Sequence, residues 1–179
     1  MRKKKHADPY IVQLAALLHD VDDRKLSPET YKHKDHAVSF MQKHHISNSV
    51  YHLICTIIEE VSYQGTDSVT PSSIERKCVQ DADRLDALGA IGIARVLAYS
   101  GSRNRQLYDP AIKPMLSMDK ETYYQHTSTV INHFYEKLFY LKNMMNTETA
   151  KRIAQQREQY MKNFVTVFLN EWEMADFIE

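Results

Sequence analysis

Apolar residues along this chain recur at helical spacing. Ile11, Leu14, Ala15 and Leu18 fall at i, i+3, i+4 and i+7. They follow Asp8-Pro9, an N-cap residue with proline at the first helical position. After a loop containing Ser27-Pro28, a short helix is expected over Asp35–His44. Val50, Leu53, Ile54, Ile57, Ile58 and Val61 form the cleanest stripe, with Gly65 expected as its C-terminal stop. Ser72 and Glu75 have the capping-box spacing and predict a long helix over Ser73–Tyr99. Gly101–Met118, with Pro110 and Pro114, reads as an irregular linker. Two long helices, Glu121–Met145 and Thr147–Trp172, are expected to close the chain. Glycine and proline number only four and five and do not cluster as strand turns would require. The expectation is an all-α fold of about six helices, one domain over residues 1–179 with a basic tail at 1–7.

Composition narrows the function classes. Lys+Arg and Asp+Glu both number 23 in 179 residues, so no global field favours nucleic acid or an anionic membrane. Any anion site must be local. Met1-Arg-Lys-Lys-Lys5 has the charge of a signal-peptide start, but Gln13 interrupts the apolar stretch after it and His19-Asp20 ends it. No run reaches membrane-spanning length. Cys55 and Cys78 have no metal-like spacing, which suggests a reducing compartment. The chain is expected to be cytoplasmic.

Two segments carry candidate chemistry. His19-Asp20 closes an apolar helix, and Asp22 and Asp23 crowd two more carboxylates onto the same turn, beside Arg24 and Lys25. Such a cluster repels itself unless a cation or basic partner offsets it. Imidazole plus carboxylate suits a divalent transition metal with open coordination positions. The second segment runs from Asp81 to Arg95, Asp-Ala-Asp-Arg-Leu-Asp-Ala-Leu-Gly-Ala-Ile-Gly-Ile-Ala-Arg. On a continuous helix Asp83 shares a stripe with Ala87, Ala90 and Ala94, while Leu85, Leu88, Ile91 and Ile93 cover most of the rest. A helix apolar on nearly every side belongs in a core, where carboxylates are costly unless paired or metal-bound. The alternative is a favourable N-terminal charge patch in which Asp81, Asp83 and Asp86 pair with Arg84. Asp81 and Asp83 lie about 200° apart on a helix, so one ion would take one of them. The small-residue stripe favours Asp83.

These residues resemble the HD superfamily of metal-dependent phosphohydrolases, and the bacterial subgroup bearing the Asp81–Arg95 string most closely. Leu14–Asp20, Ser62–Gly65, Asn132–Leu138 and Met145–Lys151 are similar to that subgroup as well, so the likeness runs from about Asp8 to Trp172. The resemblance implies that His19, Asp20 and Asp83 hold one divalent ion (Mn, Mg, Fe or Ni). It implies that Asp23 orients or deprotonates the attacking water, and that the substrate is a nucleotide or other small phosphorylated molecule. Arg84, Arg103, Arg105 and Lys137 are candidates to meet phosphate oxygens. The active cleft is expected between the helix ending at His19-Asp20 and the one starting near Asp81.

One departure accompanies the match. Family members usually carry a further metal-ligating histidine a helix and loop upstream of the His-Asp pair. Here 18 residues precede His19, and His6 is the one upstream histidine. A three-ligand site is expected to hold metal weakly, with His36 or the pair His44-His45 as substitutes. Loss of the first helix would expose apolar surface and invite dimerisation. A second class of function therefore competes: a catalytically impaired relative that binds a ligand or partner. Tyr123-Tyr124, Phe134-Tyr135 and Phe139-Tyr140 fit a core better than a base-stacking platform.

Overall fold

The computed structural model describes residues 6–24 and 27–174. Most of the expected basic tail, and Lys25, lie outside the described residues. The fold is all-helical, and no strand forms among the described residues. The chain divides into two compact units, Met1–Tyr63 with Ser68–Asp83, and Gln64–Asp67 with Arg84–Glu179.

The first unit is built on α1 (Pro9–Leu18), α2 (Asp35–Lys43), α3 (Asn48–Val61) and most of α4 (Ile74–Asp86). Asp8 caps α1 by accepting a hydrogen bond from the Tyr10 amide at 2.9 Å. Ile11, Leu14, Ala15 and Leu18 are all buried. They share one core with Ala37 and Met41 of α2, the α3 stripe and Val79 of α4. α4 begins one residue later than the capping box predicts. Ser73, rather than Ser72, accepts from the Arg76 amide, at 3.3 Å, because the cap must face the third helical residue.

The second unit contains α5 (Gly89–Ser102), α6 (Lys120–Gln125), α7 (Val130–His133), α8 (Phe139–Leu141) and α9 (Glu148–Trp172), with a π-helical turn at Phe134–Leu138 and a 3₁₀ turn at Lys142–Met144. α5 packs along α9. Phe134 is fully buried and stacks on Phe164 with ring centroids 5.9 Å apart. Thr147, expected as the first residue of this helix, instead caps α9 by accepting from the Ala150 amide.

Three expectations are corrected. The long helix over Ser73–Tyr99 is two helices, because Leu88 is extended and Gly89 takes φ +79, which a side chain resists. A Cβ on Gly89 would also meet the Arg157 side chain at 3.0 Å. The helix over Glu121–Met145 stops at Gln125, because Thr129 leaves helical geometry to cap α7 through the Asn132 amide. α3 ends at Val61, four residues short of Gly65. Gly65 instead takes φ +62 within the second unit, where a Cβ would lie 2.1 Å from the Met118 carbonyl oxygen.

Candidate metal centre

α1 delivers His19 at its C-terminal end, and the free carbonyls of the last turn fix the ring. His19 Nδ1 donates to the Ala16 carbonyl at 2.8 Å. That bond sets the tautomer and leaves Nε2 as the outward lone pair, the arrangement by which metal-ligating histidines are usually oriented. Nε2 lies 3.2 Å from Asp20 Oδ2 and 3.5 Å from Asp83 Oδ1. One ligand atom from each of His19, Asp20 and Asp83 falls within 4.8 Å of the others, all in the first unit.

The electrostatics of this group are lopsided. Hydrogen bonds to Asp20 and then Asp83 push the His19 pKa up to about 10, against the opposing effect of burial. Two carboxylates therefore face one imidazole, and a proton on Nε2 balances only one of them. A divalent cation in place of that proton would balance both. The donor set, one nitrogen and two carboxylate oxygens with the ring tied off behind, fits such an ion.

The other two carboxylates at the head of the long motif go elsewhere. Asp81 is buried outside the cluster, and Asp86 pairs with Arg95 in the second unit. The stripe argument that favoured Asp83 does not describe the molecule. The helix breaks after it, Ala90 and Ala94 are exposed, and Ile91 is 65% exposed.

Asp23 is half-buried and lies outside the three-residue cluster; its amide donates to the Asp20 carbonyl at 3.1 Å, closing the turn that carries both residues. Arg84, Arg103, Arg105 and Lys137 belong to the second unit. Arg84 is buried and its guanidinium donates to the Met144 carbonyl. Arg103 ends α5 with its guanidinium 5.6 Å from the Tyr99 ring centre. The Lys137 ammonium sits 5.7 Å from the Tyr123 ring centre. His6 is exposed, His44 packs on Phe40 at the end of α2, and neither they nor His45 join the cluster.

Sequence reasoning noticed the crowding at Asp22 without finding its partner. Asp22 is buried and accepts from the amides of His36 and Ala37 at 3.2 and 2.9 Å, at the start of α2. His36 Nδ1 lies 2.9 Å from the same carboxylate. Burial alone would raise the Asp22 pKa, but the Thr30 hydroxyl and these amides outweigh it and hold the group below its ordinary value. Lys34, at φ +55, starts α2 without a side-chain cap, so Asp22 caps the helix from a distance. No local signal marks that link. Asn132 and Glu136, four apart on one face, were also missed. Their side chains bind the Ile112 carbonyl and the Met115 amide of the linker at 2.9 and 3.0 Å.

The comparisons with known proteins bear on this centre. The HD domain family profile matches residues 1–88. A Lactobacillus plantarum crystal structure is 40% identical with a TM-score of 0.85, covering 94% of this chain and 78% of that one. A Bacillus thuringiensis protein described as an HD-superfamily hydrolase is 39% identical with a TM-score of 0.66, covering 93% and 76%.

The chain belongs to the HD-domain superfamily.

Within that superfamily, the uncharacterized protein YpgQ of Bacillus subtilis (strain 168) is 39% identical over 170 residues, 91% of this chain and 73% of YpgQ. A crystal structure of YpgQ in complex with ADP superposes with a TM-score of 0.65 at 33% identity, covering 92% and 77%. This HD protein is thus related to a hydrolase and carries a His/Asp group suited to a divalent metal. No helix among its described residues is long and apolar enough to cross a membrane.

Proposed function

We propose that this HD protein is a metal-dependent phosphohydrolase acting on a nucleotide or another small phosphorylated metabolite. The observation that carries the reading is the convergence of His19 Nε2, Asp20 and Asp83 around one point, with His19 Nδ1 already committed to Ala16. These three side chains would hold one divalent ion. When bound, such an ion polarises a phosphoryl oxygen and lowers the pKa of a coordinated water. Asp23, on the same turn as Asp20, accepts the proton of the attacking water. The YpgQ complex with ADP favours a nucleotide over other phosphate esters. Arg84, Arg103 and Lys137 lie in the other unit, Arg84 buried against the Met144 carbonyl, and no phosphate contact is assigned to them. A homo-oligomer in a cytoplasmic setting, with no nucleic-acid partner, completes the reading.

The test is metal analysis and phosphate or pyrophosphate release with Mn²⁺ or Mg²⁺ across a nucleotide panel. Release that depends on added metal and disappears in Asp83→Asn is the expected result. A chain that holds no metal and releases nothing would overturn the reading. A second reading, an impaired relative that binds ligand without turnover, is favoured by the presence of only three donors in the cluster among the described residues. Metal-dependent nucleotide binding without release would select it.

A further inference from the structure

α2 receives its cap from outside its own sequence neighbourhood. The ordinary cap position holds Lys34, at φ +55 and with no side-chain cap, where a serine, threonine or aspartate would accept from the first amides. Asp22, 14 residues before His36, takes that place. Its carboxylate is 3% exposed and accepts from the His36 amide at 3.2 Å and the Ala37 amide at 2.9 Å. A serine at position 34 would satisfy such amides without burying a charge. What the remote cap adds is a link between two segments.

The segment it holds is the turn after α1. The Asp23 amide donates to the Asp20 carbonyl at 3.1 Å, so Asp20 and Asp23 end a four-residue turn with Cα atoms within about 7 Å of each other. Asp22 stands inside that turn, between the candidate ligand and the candidate proton acceptor. α2 is itself fixed, with Ala37 and Met41 buried in the same core as α1. On the other side, the Ser27 amide and hydroxyl donate to the Asp23 and Val21 carbonyls at 2.7 and 3.3 Å. The turn has a physical need of such ties. Asp20 is 58% exposed and shares His19 with Asp83, and two carboxylates on one imidazole repel until a cation joins them. A turn without an anchor would relieve that repulsion by swinging Asp20 into water.

We infer that Asp22 is a positioning residue for the metal group: by fastening the turn to the start of α2, it holds Asp20 in place to ligate and Asp23 in place to act on water. It is outside the cluster of candidate ligands and acts through the backbone of its neighbours. The inference rests on the phosphohydrolase reading and adds to it a residue that sets metal affinity without ligating.

The test moves the carboxylate and keeps its charge. D22E shifts the anchor by one methylene, so a role through charge alone predicts wild-type metal binding. M41A truncates a buried side chain one turn further along α2 and measures the effect of lost stability by itself. Mn²⁺ binding by calorimetry and Tm are measured on both, in the full chain. D22E is expected to bind Mn²⁺ about 10–100-fold more weakly, the range for residues that orient metal ligands. M41A is expected to melt lower and keep wild-type affinity. Wild-type affinity in D22E, or an equal loss in M41A, overturns the inference and leaves the metal reading standing. A further measurement needs no variant. Coupling is reciprocal, so Mg²⁺ binding to the wild-type chain should slow hydrogen exchange at the His36 and Ala37 amides. The Ala150 amide, capped by Thr147 on α9, should exchange at its metal-free rate. Unchanged exchange at His36 and Ala37, or equal slowing at all three amides, overturns the inference as well. A wild-type chain that binds neither Mn²⁺ nor Mg²⁺ overturns the reading itself, and the inference with it.

Discussion

Each unit contains a histidine held against carboxylate, and the two groups have opposite characters. In the second unit His126 Nε2 donates to Glu136 Oε1 at 3.0 Å, and the Met115 amide reaches the same oxygen at 3.0 Å. One carboxylate meets two donors, and its side chain is 2% exposed. In the first unit one imidazole meets two carboxylates, with Asp20 at 58% and Asp83 at 30% exposure. The residue types are the same and the ratio is inverted. A carboxylate with donors to spare stays buried and pins the linker to the π-helical turn. Carboxylates in excess of donors stay near solvent, where a cation can complete them. The charge ratio and the burial, rather than the presence of a His-Asp pair, separate a group suited to a metal from a structural one.

Substitutions at the two groups should therefore fail in different ways. The largest effect is expected for Asp83→Asn, which removes one of the two charges that call for the cation. Metal affinity should fall by more than the roughly 10–100-fold that loss of an outer-sphere partner costs. Hydrolysis should fall with it and Tm should barely change. Metal analysis beside thermal melts would break the comparison if Asp83→Asn kept its metal. Asp23→Asn comes next. It should lower turnover about 10²–10⁴-fold, the range of general acid–base groups, while metal content stays near wild type. Parallel loss of metal and turnover would place Asp23 on the ion, and unchanged turnover would remove it from the mechanism.

Glu136→Ala reverses the pattern. It removes the buried acceptor of the part-buried Met115 amide and His126 Nε2–H, at a cost of about 1–2 kcal/mol. At about 2–4 °C per kcal/mol for a chain of this size, Tm should drop clearly. Metal content should not move. A drop in metal with an unchanged melt would mean that the two groups are not of different kinds.

The sequence made parts of this legible for identifiable reasons. His19-Asp20 closing an apolar helix is a local pattern, and the structure keeps it local, with Ala16, His19 and Asp20 on one turn. Asp83 was singled out by a stripe that presumes a continuous helix. The molecule breaks that helix at Leu88-Gly89, and what sets Asp83 beside His19 is packing between segments far apart in sequence. Asp22 with His36, and Glu136 with Met115, are likewise pairings across 14 and 21 positions that no periodicity announces. The left-handed Lys34 and the cap at Thr129 were hidden because neither residue type demands its conformation. Short-range physics is written in the chain, whereas the partner of a buried carboxylate is chosen by the tertiary fold.

The smallest effect sharpens the same comparison through pH. Glu158 on α9 is another donor-rich carboxylate: Lys142 Nζ lies 2.7 Å from Oε2 and Lys162 Nζ 3.1 Å from Oε1. Burial taken alone would raise its pKa, but the hydrogen bonds from Lys142 and Lys162 outweigh it and lower the group from its ordinary value of 4.5. A carboxyl depressed in the folded state contributes stability that is fully present above its unfolded pKa. That contribution is lost as pH falls through the folded value, because the unfolded chain takes up the proton first. Both lysines are partly exposed, so solvent screens the pair and about 1 kcal/mol is the scale to expect. Glu158→Gln should therefore melt lower than wild type at pH 7, and the gap should close below about pH 4, near and under the ordinary carboxylate range. Melts of the two chains at a series of pH values give the answer. A gap that persists unchanged into acid would mean that the amide fails on packing rather than charge, and Glu158 would then leave the set of carboxylates stabilised by surplus donors.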